Sequence, residues 1–230
     1  LQYAISQTNA VNAYNFWNID NGEIPGQIEN NEIIVAVNDY PLMWYHPDLI
    51  NNVWQNLGED ADGDGVLFEN SGDEWFIDSG DINNIDDDND GYIDNFIGWN
   101  AHSNNGDIGV NLSLSHGTNV GGCVSSMTNN ENGIASIGWS IKIMGITNCD
   151  PGGAITSGYE GILTAAQMGA DIINNSWGSS GGPDYAEALI NTVLNEYDCI
   201  IVASAGNGGE NIANYPASFE GVLSVTSTSE

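Results

Sequence analysis

Short runs of β-branched and other apolar residues alternate along the chain with longer segments whose apolar positions recur at helical spacing. The short runs indicate buried strands, and we predict strands at residues 33–37, 141–146, 171–174, 199–203 and 221–226. The longer segments predict helices at residues 7–18, 116–127, 157–168 and 184–196. This alternation is typical of a doubly wound α/β fold, in which helices cover both faces of a parallel sheet.

Three polar residues fall at or just after the ends of predicted strands: Asp39, Ser176 and Asn207. In open parallel sheets, ligands bind beyond the carboxyl ends of the strands, where the connecting loops meet. We therefore expect these three separate segments to converge at one edge of the sheet.

The composition fits a single globular domain, because 230 residues with 41% hydrophobic content can bury one sizeable core. No apolar run approaches the roughly 20 residues needed to cross a membrane, so we expect no membrane insertion. The N-terminus lacks the charged-then-apolar pattern of a signal peptide, so a secreted form would already have lost its targeting segment.

The charge balance is strongly acidic. Lys142 is the only Lys or Arg residue in the sequence, whereas 32 residues are acidic. The net charge is therefore -31. Binding to nucleic acid or to anionic lipid requires basic side chains that displace counterions around phosphates. We therefore expect no nucleic-acid partner.

The acidic residues are concentrated between residues 59 and 94, which hold 14 of the 32. Two stretches there follow the pattern D-x-D-x-D-G, in which alternate carboxylates and a glycine turn can wrap oxygen atoms around Ca²⁺. The candidate ligands are Asp60, Asp62 and Asp64 in the first stretch and Asp86, Asp88, Asp90 and Asp94 in the second. Ser71 and Ile97 stand where an EF-hand loop places its twelfth-position Glu. The stretches are therefore calcium loops of another design, or solvated acidic loops without an ion.

The three cysteines, Cys123, Cys149 and Cys199, allow at most one intrachain disulfide and leave one thiol over. All three lie among apolar or small residues, where a free cysteine behaves as a small buried hydrophobe. We expect all three to be reduced and buried.

Asp39 and His116 have the chemistry of an acid and base pair. Asp39 ends the first predicted strand, and His116 opens a predicted helix that begins His-Gly-Thr-Asn. A buried carboxylate that accepts the imidazole Nδ1 proton fixes the tautomer and stabilises the imidazolium formed when the ring takes a hydroxyl proton. The amide of Asn207 could donate to a developing oxyanion. Each residue alone is explained as a turn or helix-cap residue, but their joint order and strand contexts favour the catalytic interpretation.

In this order, Asp39, His116 and Asn207 resemble the catalytic acid, base and oxyanion donor of the subtilisin-like serine proteases, the subtilases. The resemblance extends over nearly the whole chain, and the segment 82–100 is similar to an acidic insertion common before the family's His block. It implies that Gly152 and Gly153 pair with the substrate backbone as an added strand. It also implies two walls of the primary specificity pocket, formed by Ser176, Trp177 and Gly178 and by Ser204, Ala205 and Gly206.

The chain departs from the family pattern at three points. Tyr40 and Pro41 follow the catalytic Asp, where the family usually has Thr-Gly or Ser-Gly, and Asn119 replaces a second His. The family's nucleophile run, similar to Gly-Thr-Ser-Met-Ala, does not occur before Glu230. Pro41 lacks an N–H that could orient the carboxylate.

The resemblance implies a secreted, calcium-stabilised serine endopeptidase that acts on peptides or proteins and whose Ser lies outside residues 1–230. These residues would form a partial subtilase catalytic domain, of doubly wound α/β fold with its C-terminal part missing, and a companion polypeptide would supply that part. Two other classes stay open: a non-catalytic calcium-binding protein and a peptide-binding module on the same scaffold. A companion polypeptide that carries Gly-Thr-Ser would distinguish the first class from the other two.

Overall fold

A six-stranded sheet, in which every pairing is parallel, forms the centre of the molecule. The computed structural model describes residues 3–25, 27, 32–72, 74–109, 111, 113–209 and 211–227. The strands of this sheet are β1 (Ile34–Asp39), β4 (Gly98–Asn100), β5 (Lys142–Thr147), β6 (Ile172–Asn175), β7 (Ile200–Ser204) and β8 (Leu223–Val225). Their spatial order is β4-β5-β1-β6-β7-β8, which confirms the predicted doubly wound α/β class.

Strand β1 lies inside the sheet because its apolar residues are buried on both faces. It pairs with β5 on one side, with Asp39 opposite Thr147, and with β6 on the other. Its last five residues are all buried, which is the burial expected of a central parallel strand. The carboxyl ends of β1, β5 and β6 therefore lie side by side.

Helices cover both faces of the sheet: α3 (His116–Ser125), α4 (Gly158–Gln167) and α5 (Ala186–Glu196). Successive residues of a strand point to opposite faces, and the core divides accordingly. Ala36 packs in a cluster with Ile162 of α4, whereas Val37 packs in a second cluster that Val120 of α3 contacts. Helices α4 and α5 thus lie on one face and α3 on the other.

The acidic segment contains an antiparallel hairpin that the sequence pattern did not predict, formed by β2 (Phe68–Ser71) and β3 (Glu74–Ile77). Its first strand is attached to the core, because Leu67 is fully buried and Phe68 packs on Trp44 with ring centroids 4.9 Å apart. Strand β4 was also not predicted, since three residues are too few for a recognisable alternation.

The prediction of one helix over residues 7–18 is wrong. The structure forms two short helices, α1 (Tyr3–Gln7) and α2 (Ala10–Tyr14), separated at Asn9, which has a left-handed φ of 58°. Asn tolerates this conformation better than most residues, and a single such residue interrupts a helix. None of the helices in the described part of the chain is long and apolar enough to span a membrane.

Candidate active site

The end of β1 and the start of α3 bring the predicted acid and base together. Asp39 is the last residue of β1 and His116 is the first of α3. The His116 Nδ1 atom lies 2.7 Å from Asp39 Oδ1. The His116 side chain is 52% exposed, whereas that of Asp39 is only 2% exposed. This arrangement leaves the opposite edge of the imidazole, with Nε2, open to a substrate or nucleophile.

Burial and hydrogen bonding act in opposite directions on Asp39. Burial raises the pKa of its carboxyl, and the hydrogen bonds from His116 and from the Tyr40 backbone N–H lower it. Oδ2 is buried and has no hydrogen-bond partner among the described residues. With Nδ1 donating to Asp39, the neutral imidazole presents Nε2 as an acceptor, which is the tautomer a general base requires.

Tyr40 links the acid, the base and the predicted substrate edge. Its backbone N–H donates to Asp39 Oδ1 over 2.7 Å, and its ring lies edge-on to that of His116 with centroids 5.9 Å apart. Its hydroxyl donates to the carbonyl oxygen of Gly153 over 2.7 Å. The departure from the family pattern at Tyr40 and Pro41 therefore keeps the carboxylate oriented, because the needed N–H comes from Tyr40.

A buried network of amide side chains supports this edge of the sheet. Asn38 donates to Asn175 Oδ1 over 2.7 Å and accepts from Asn148 Nδ2 over 3.0 Å, and both Asn38 and Asn148 are fully buried. Sequence reasoning missed these residues, although an Asn within an apolar strand is an available signal for a satisfied buried polar group. The network ties the ends of β1, β5 and β6 together, and Asn38 also donates to the Gly158 carbonyl oxygen over 2.8 Å.

Asp150 holds Gly152 and Gly153 in a tight turn. The Asp150 Oδ1 atom accepts from the backbone N–H groups of Gly152 and Ala154, each over 2.9 Å. Gly153 has a left-handed φ of 86°, which few other residues adopt without strain. The hydrogen bond from Tyr40 connects this loop to the residue whose ring lies beside His116.

The two predicted pocket walls are neighbours in the structure. Ser176 and Ser204 each stand beside paired residues of β6 and β7, where Asn175 is opposite Ala203. Asn214, which the sequence did not single out, donates to the Ser204 carbonyl over 2.9 Å. A Cβ on Gly178 would approach Asn214 Nδ2 to 2.2 Å, and Gly206 also faces Asn214. Ala205 continues the second wall, and the Asn214 side chain lies beside both Gly178 and Gly206.

The Trp177 side chain packs against the end of β1 and against Tyr159. Its Nε1 donates to the Asn38 carbonyl over 3.0 Å, and its ring lies edge-on to Tyr159 with centroids 5.5 Å apart. Together with Tyr159, Glu160 and Gly178 it lines a cavity of about 360 Å³.

Asn207 lies in the exposed turn that follows β7, three residues after the end of that strand. It is therefore at the same carboxyl edge of the sheet as Asp39, as predicted. Its assignment as an oxyanion donor stays a prediction.

The first acidic loop gathers its carboxylates in one place. Oxygen atoms of Asp60, Asp62 and Asp64 lie within 4.8 Å of one another, which suits a hard cation that takes several oxygen ligands. Asp60 also accepts from the N–H groups of Gly63 and Gly65, which folds the loop around it.

In the second acidic loop, the carboxylates that lie together coincide only in part with the predicted ligands. Asp86 and Asp88 group with Glu59, which is fully buried and was not predicted. Asp90 instead accepts from Asn95 Nδ2, and Asp94 accepts from the Asn84 N–H. Glu59 precedes the first D-x-D-x-D-G pattern, so only the fold reveals that it belongs with the second.

The cysteines are free, as predicted, but they are not all buried. Cys149 is buried and Cys199 is partly buried, whereas Cys123 is exposed on α3. Burial raises the pKa of both the Cys149 and the Cys199 thiols, which keeps them protonated and poorly nucleophilic.

Comparison with known proteins finds similar sequences among proteases. The sequence profile of the subtilase family matches residues 30–230. Thermitase from Thermoactinomyces vulgaris is 33% identical over 117 residues, which are 50% of this chain and 42% of thermitase. A halolysin-like extracellular serine protease from Natrialba magadii is 32% identical over 161 residues, covering 65% of this chain and 28% of that protein. The chain thus spans less than half the length of these relatives.

Solved structures show the same fold. A protease from Pseudoalteromonas arctica PAMC 21717 superposes with a TM-score of 0.55 at 26% identity, and the match covers 85% of this chain and 56% of that one. A psychrophilic subtilisin-like protease from Pseudoalteromonas sp. AS-11 superposes with a TM-score of 0.52 at 22% identity and covers 84% of this chain and 35% of its own. Taken with the profile match over residues 30–230, these similarities establish that the chain belongs to the subtilase family.

Proposed function

We propose that residues 1–230 form part of the catalytic domain of a serine endopeptidase, with Asp39 as the orienting acid, His116 as the general base and Asn207 as an oxyanion donor. The observation that carries this proposal is the 2.7 Å contact between His116 Nδ1 and the buried Asp39 carboxylate. A scaffold without chemistry has no physical need for an exposed imidazole held by a buried carboxylate.

The reaction would follow from this pair. His116 Nε2 takes the proton of a Ser hydroxyl contributed from outside residues 1–230 as that oxygen attacks the scissile carbonyl carbon. The imidazolium that forms is stabilised by Asp39 and then gives its proton to the leaving amine. The Asn207 amide donates to the oxyanion, an interaction that contributes about 2.7–4 kcal/mol in subtilisin.

The substrate would bind in extended form along the edge that Tyr40 organises. Gly152 and Gly153 on one side and Ser176, Trp177 and Gly178 on the other offer backbone groups for pairing with a peptide strand. The pocket between this second segment and Ser204, Ala205 and Gly206 is lined by small, apolar or uncharged groups, Asn214 among them, without a carboxylate. We therefore propose large apolar or aromatic residues before the scissile bond.

Covalent labelling tests the catalytic assignment. An organophosphonate that reacts with activated serines should label the full-length protein, and the protein should hydrolyse a denatured protein substrate. The variant His116→Ala should lose both properties. The matched control His102→Ala alters an exposed histidine that bonds to Thr156 and should keep both. An intact, folded protein that is neither labelled nor hydrolytic would favour a non-catalytic peptide- or calcium-binding role.

A peptide library tests the proposed specificity. Cleavage products should carry aromatic or large aliphatic residues at their new C-termini. A strong preference for Arg or Lys there would contradict the description of the pocket.

The edge formed by β7 and β8 supports the proposal of a companion polypeptide. Ile200, Leu223 and Val225 are 49%, 56% and 54% exposed, so this side of the sheet presents apolar surface that further structure could cover. Intact-mass analysis of native material should detect additional polypeptide bound to residues 1–230 or continuous with them. A monomer of 24.4 kDa alone would contradict this.

We also propose that the protein binds Ca²⁺ at the acidic segment and acts outside the cell. The clustered carboxylates of Asp60, Asp62 and Asp64 and of Glu59, Asp86 and Asp88 offer the oxygen ligands that calcium prefers. The relative from Natrialba magadii is described as extracellular, which supports secretion. Fractionation of the source culture would test localisation, and a cell-associated activity would contradict it.

A further inference from the structure

The first acidic loop, residues 60–65, lies against residues 78–81, which follow the β2–β3 hairpin. Strand pairing of Phe68 with Ile77 continues as a hydrogen bond from the Asp78 N–H to the Leu67 carbonyl over 2.9 Å. The turn that follows reaches the loop, since a Cβ on Gly80 would lie 2.4 Å from Asp62 Oδ2. The hairpin therefore brings residues 78–81 to the carboxylates of Asp60 and Asp62.

Asp81 in this turn is a buried carboxylate with one oxygen atom unused. Its side chain is fully buried, and Oδ1 accepts from the Ala61 N–H over 2.9 Å, between two of the loop carboxylates. Its Oδ2 atom has no hydrogen-bond partner among the described residues. Burying an ionised oxygen without a partner costs free energy. Since the described residues supply no partner for Oδ2, this atom indicates a position for a bound ligand.

The protein has no side chain that could neutralise this group of charges. Lys142 lies 3.6 Å from Glu32 and donates to the Asn51 carbonyl, far along the chain from the loop. The three histidines bond elsewhere: His116 to Asp39, His102 to Thr156 and His46 to the Asp48 N–H. An external cation is therefore the available partner for Asp60, Asp62, Asp64 and Asp81.

We propose that Asp81 is a ligand of a calcium ion that Asp60, Asp62 and Asp64 also bind, and that it takes the place of the Glu missing from the twelfth position of the loop. The hairpin between the loop and Asp81 becomes part of the site, and binding of the ion locks the hairpin to the loop. Four carboxylates from two segments suit Ca²⁺ better than Mg²⁺, which keeps several waters and seldom occupies an all-protein cage. This inference rests on the calcium part of the proposed function and is independent of catalysis.

To test the assignment, bound metal is first removed from the full-length protein with a chelator. Calcium is then titrated back and its binding is measured by calorimetry. The variant Asp81→Asn should lose one class of binding sites or bind there roughly tenfold more weakly or worse, because the number of ligand charges sets the affinity of such sites. Asp90→Asn, in the second loop, should leave this class unchanged. Glu74→Gln is the matched control, because it removes one exposed charge at the opposite end of the same hairpin.

Thermal melts separate a ligand from a merely structural carboxylate. In chelator, Asp81→Asn should melt at the same temperature as the unaltered protein or higher, since it removes a charge repelled by its neighbours. In millimolar calcium the variant should have a lower melting temperature than the unaltered protein, because it binds the ion less tightly. A variant that melts lower in both conditions, or that binds calcium with unchanged stoichiometry and affinity, would overturn the proposal. If the unaltered protein binds calcium at this site but does not hydrolyse peptides, that result contradicts only the catalytic proposal.

Discussion

At the scale of single residues, function and stability conflict at Asp39. Because burial raises its folded-state pKa, the stabilising contribution of this group is present only below its ordinary pKa and is lost as the pH rises through the folded value. At neutral pH the ionised carboxylate therefore costs stability, and His116 recovers only part of that cost. The catalytic geometry is what keeps the charge in place.

We expect the variant Asp39→Asn to lower kcat about 10⁴-fold, because an amide favours the wrong imidazole tautomer. Its melting temperature at pH 7 should equal or exceed that of the unaltered protein. Hydrolysis of a peptide substrate and a thermal melt at the same pH provide the two readouts. A fall in melting temperature together with activity would mean that the carboxylate stabilises the fold.

Tyr40 offers a second prediction at this scale. Tyr40→Phe removes only the hydroxyl that donates to Gly153, while the backbone bond to Asp39 and the ring beside His116 remain. One hydrogen bond contributes about 1 kcal/mol, so KM for an extended peptide should rise about three- to tenfold with kcat nearly unchanged. Tyr45→Phe, at a ring that packs on Trp44, is the control and should alter neither constant. A fall in kcat alone would place the role of Tyr40 in the chemical step instead.

At the scale of elements, the approach of α3 to β1 sets the position of the base. Gly117, directly after His116, lies so close to the backbone of Tyr40 that an added Cβ would be 2.0 Å from the Tyr40 carbonyl oxygen. Gly122, in the same helix, would place its Cβ 3.3 Å from Ser126 Oγ, a side-chain atom that can move. An added Cβ therefore meets backbone atoms at Gly117 but a movable side chain at Gly122.

Gly117→Ala should reduce both activity and the free energy of unfolding, the latter by about 1–3 kcal/mol, because backbone atoms must separate. Gly122→Ala should keep activity and stay within about 1 kcal/mol of the unaltered protein, since the higher helix propensity of Ala offsets the tighter contact. Denaturant melts and peptide hydrolysis of both variants provide the comparison. Equal effects of the two substitutions would show that the close contact at Gly117 does not position His116.

At the scale of the whole molecule, a net charge of -31 with one Lys and no Arg leads us to expect that stability depends on bound cations. If calcium binds only the folded state, a hundredfold excess over Kd adds about 2.7 kcal/mol to the free energy of unfolding. Its removal leaves the carboxylates of residues 59–94 repelling one another.

Chelator should therefore lower the melting temperature and direct the first proteolytic cuts to residues 59–94, as mapped by mass spectrometry. Added sodium chloride at equal ionic strength is the control for simple screening and should not restore the original cutting pattern. An unchanged melting temperature, or an acidic segment that stays uncut in chelator, would leave a solvated loop as the better description.

The sequence by itself determined the strand and helix alternation of the core and the positions of Asp39 and His116. Apolar periodicity reports which faces are buried, and parallel strands place their carboxyl ends at one edge, so local patterns were enough for this part. At residues 7–18 helical spacing alone is misleading, because the left-handed conformation of Asn9 leaves the spacing intact while it divides the helix.

Only the tertiary structure showed which residues from distant segments act together. Tyr40 reaches Gly153, Glu59 joins the second acidic loop, and Asp81 returns to the first across a hairpin. None of these relations has a fixed spacing along the chain, because each depends on how the connecting segment folds and on what surrounds the side chain. Burial converts an ordinary Asp or Glu into a group that must find a partner, and sequence patterns do not record burial of that kind.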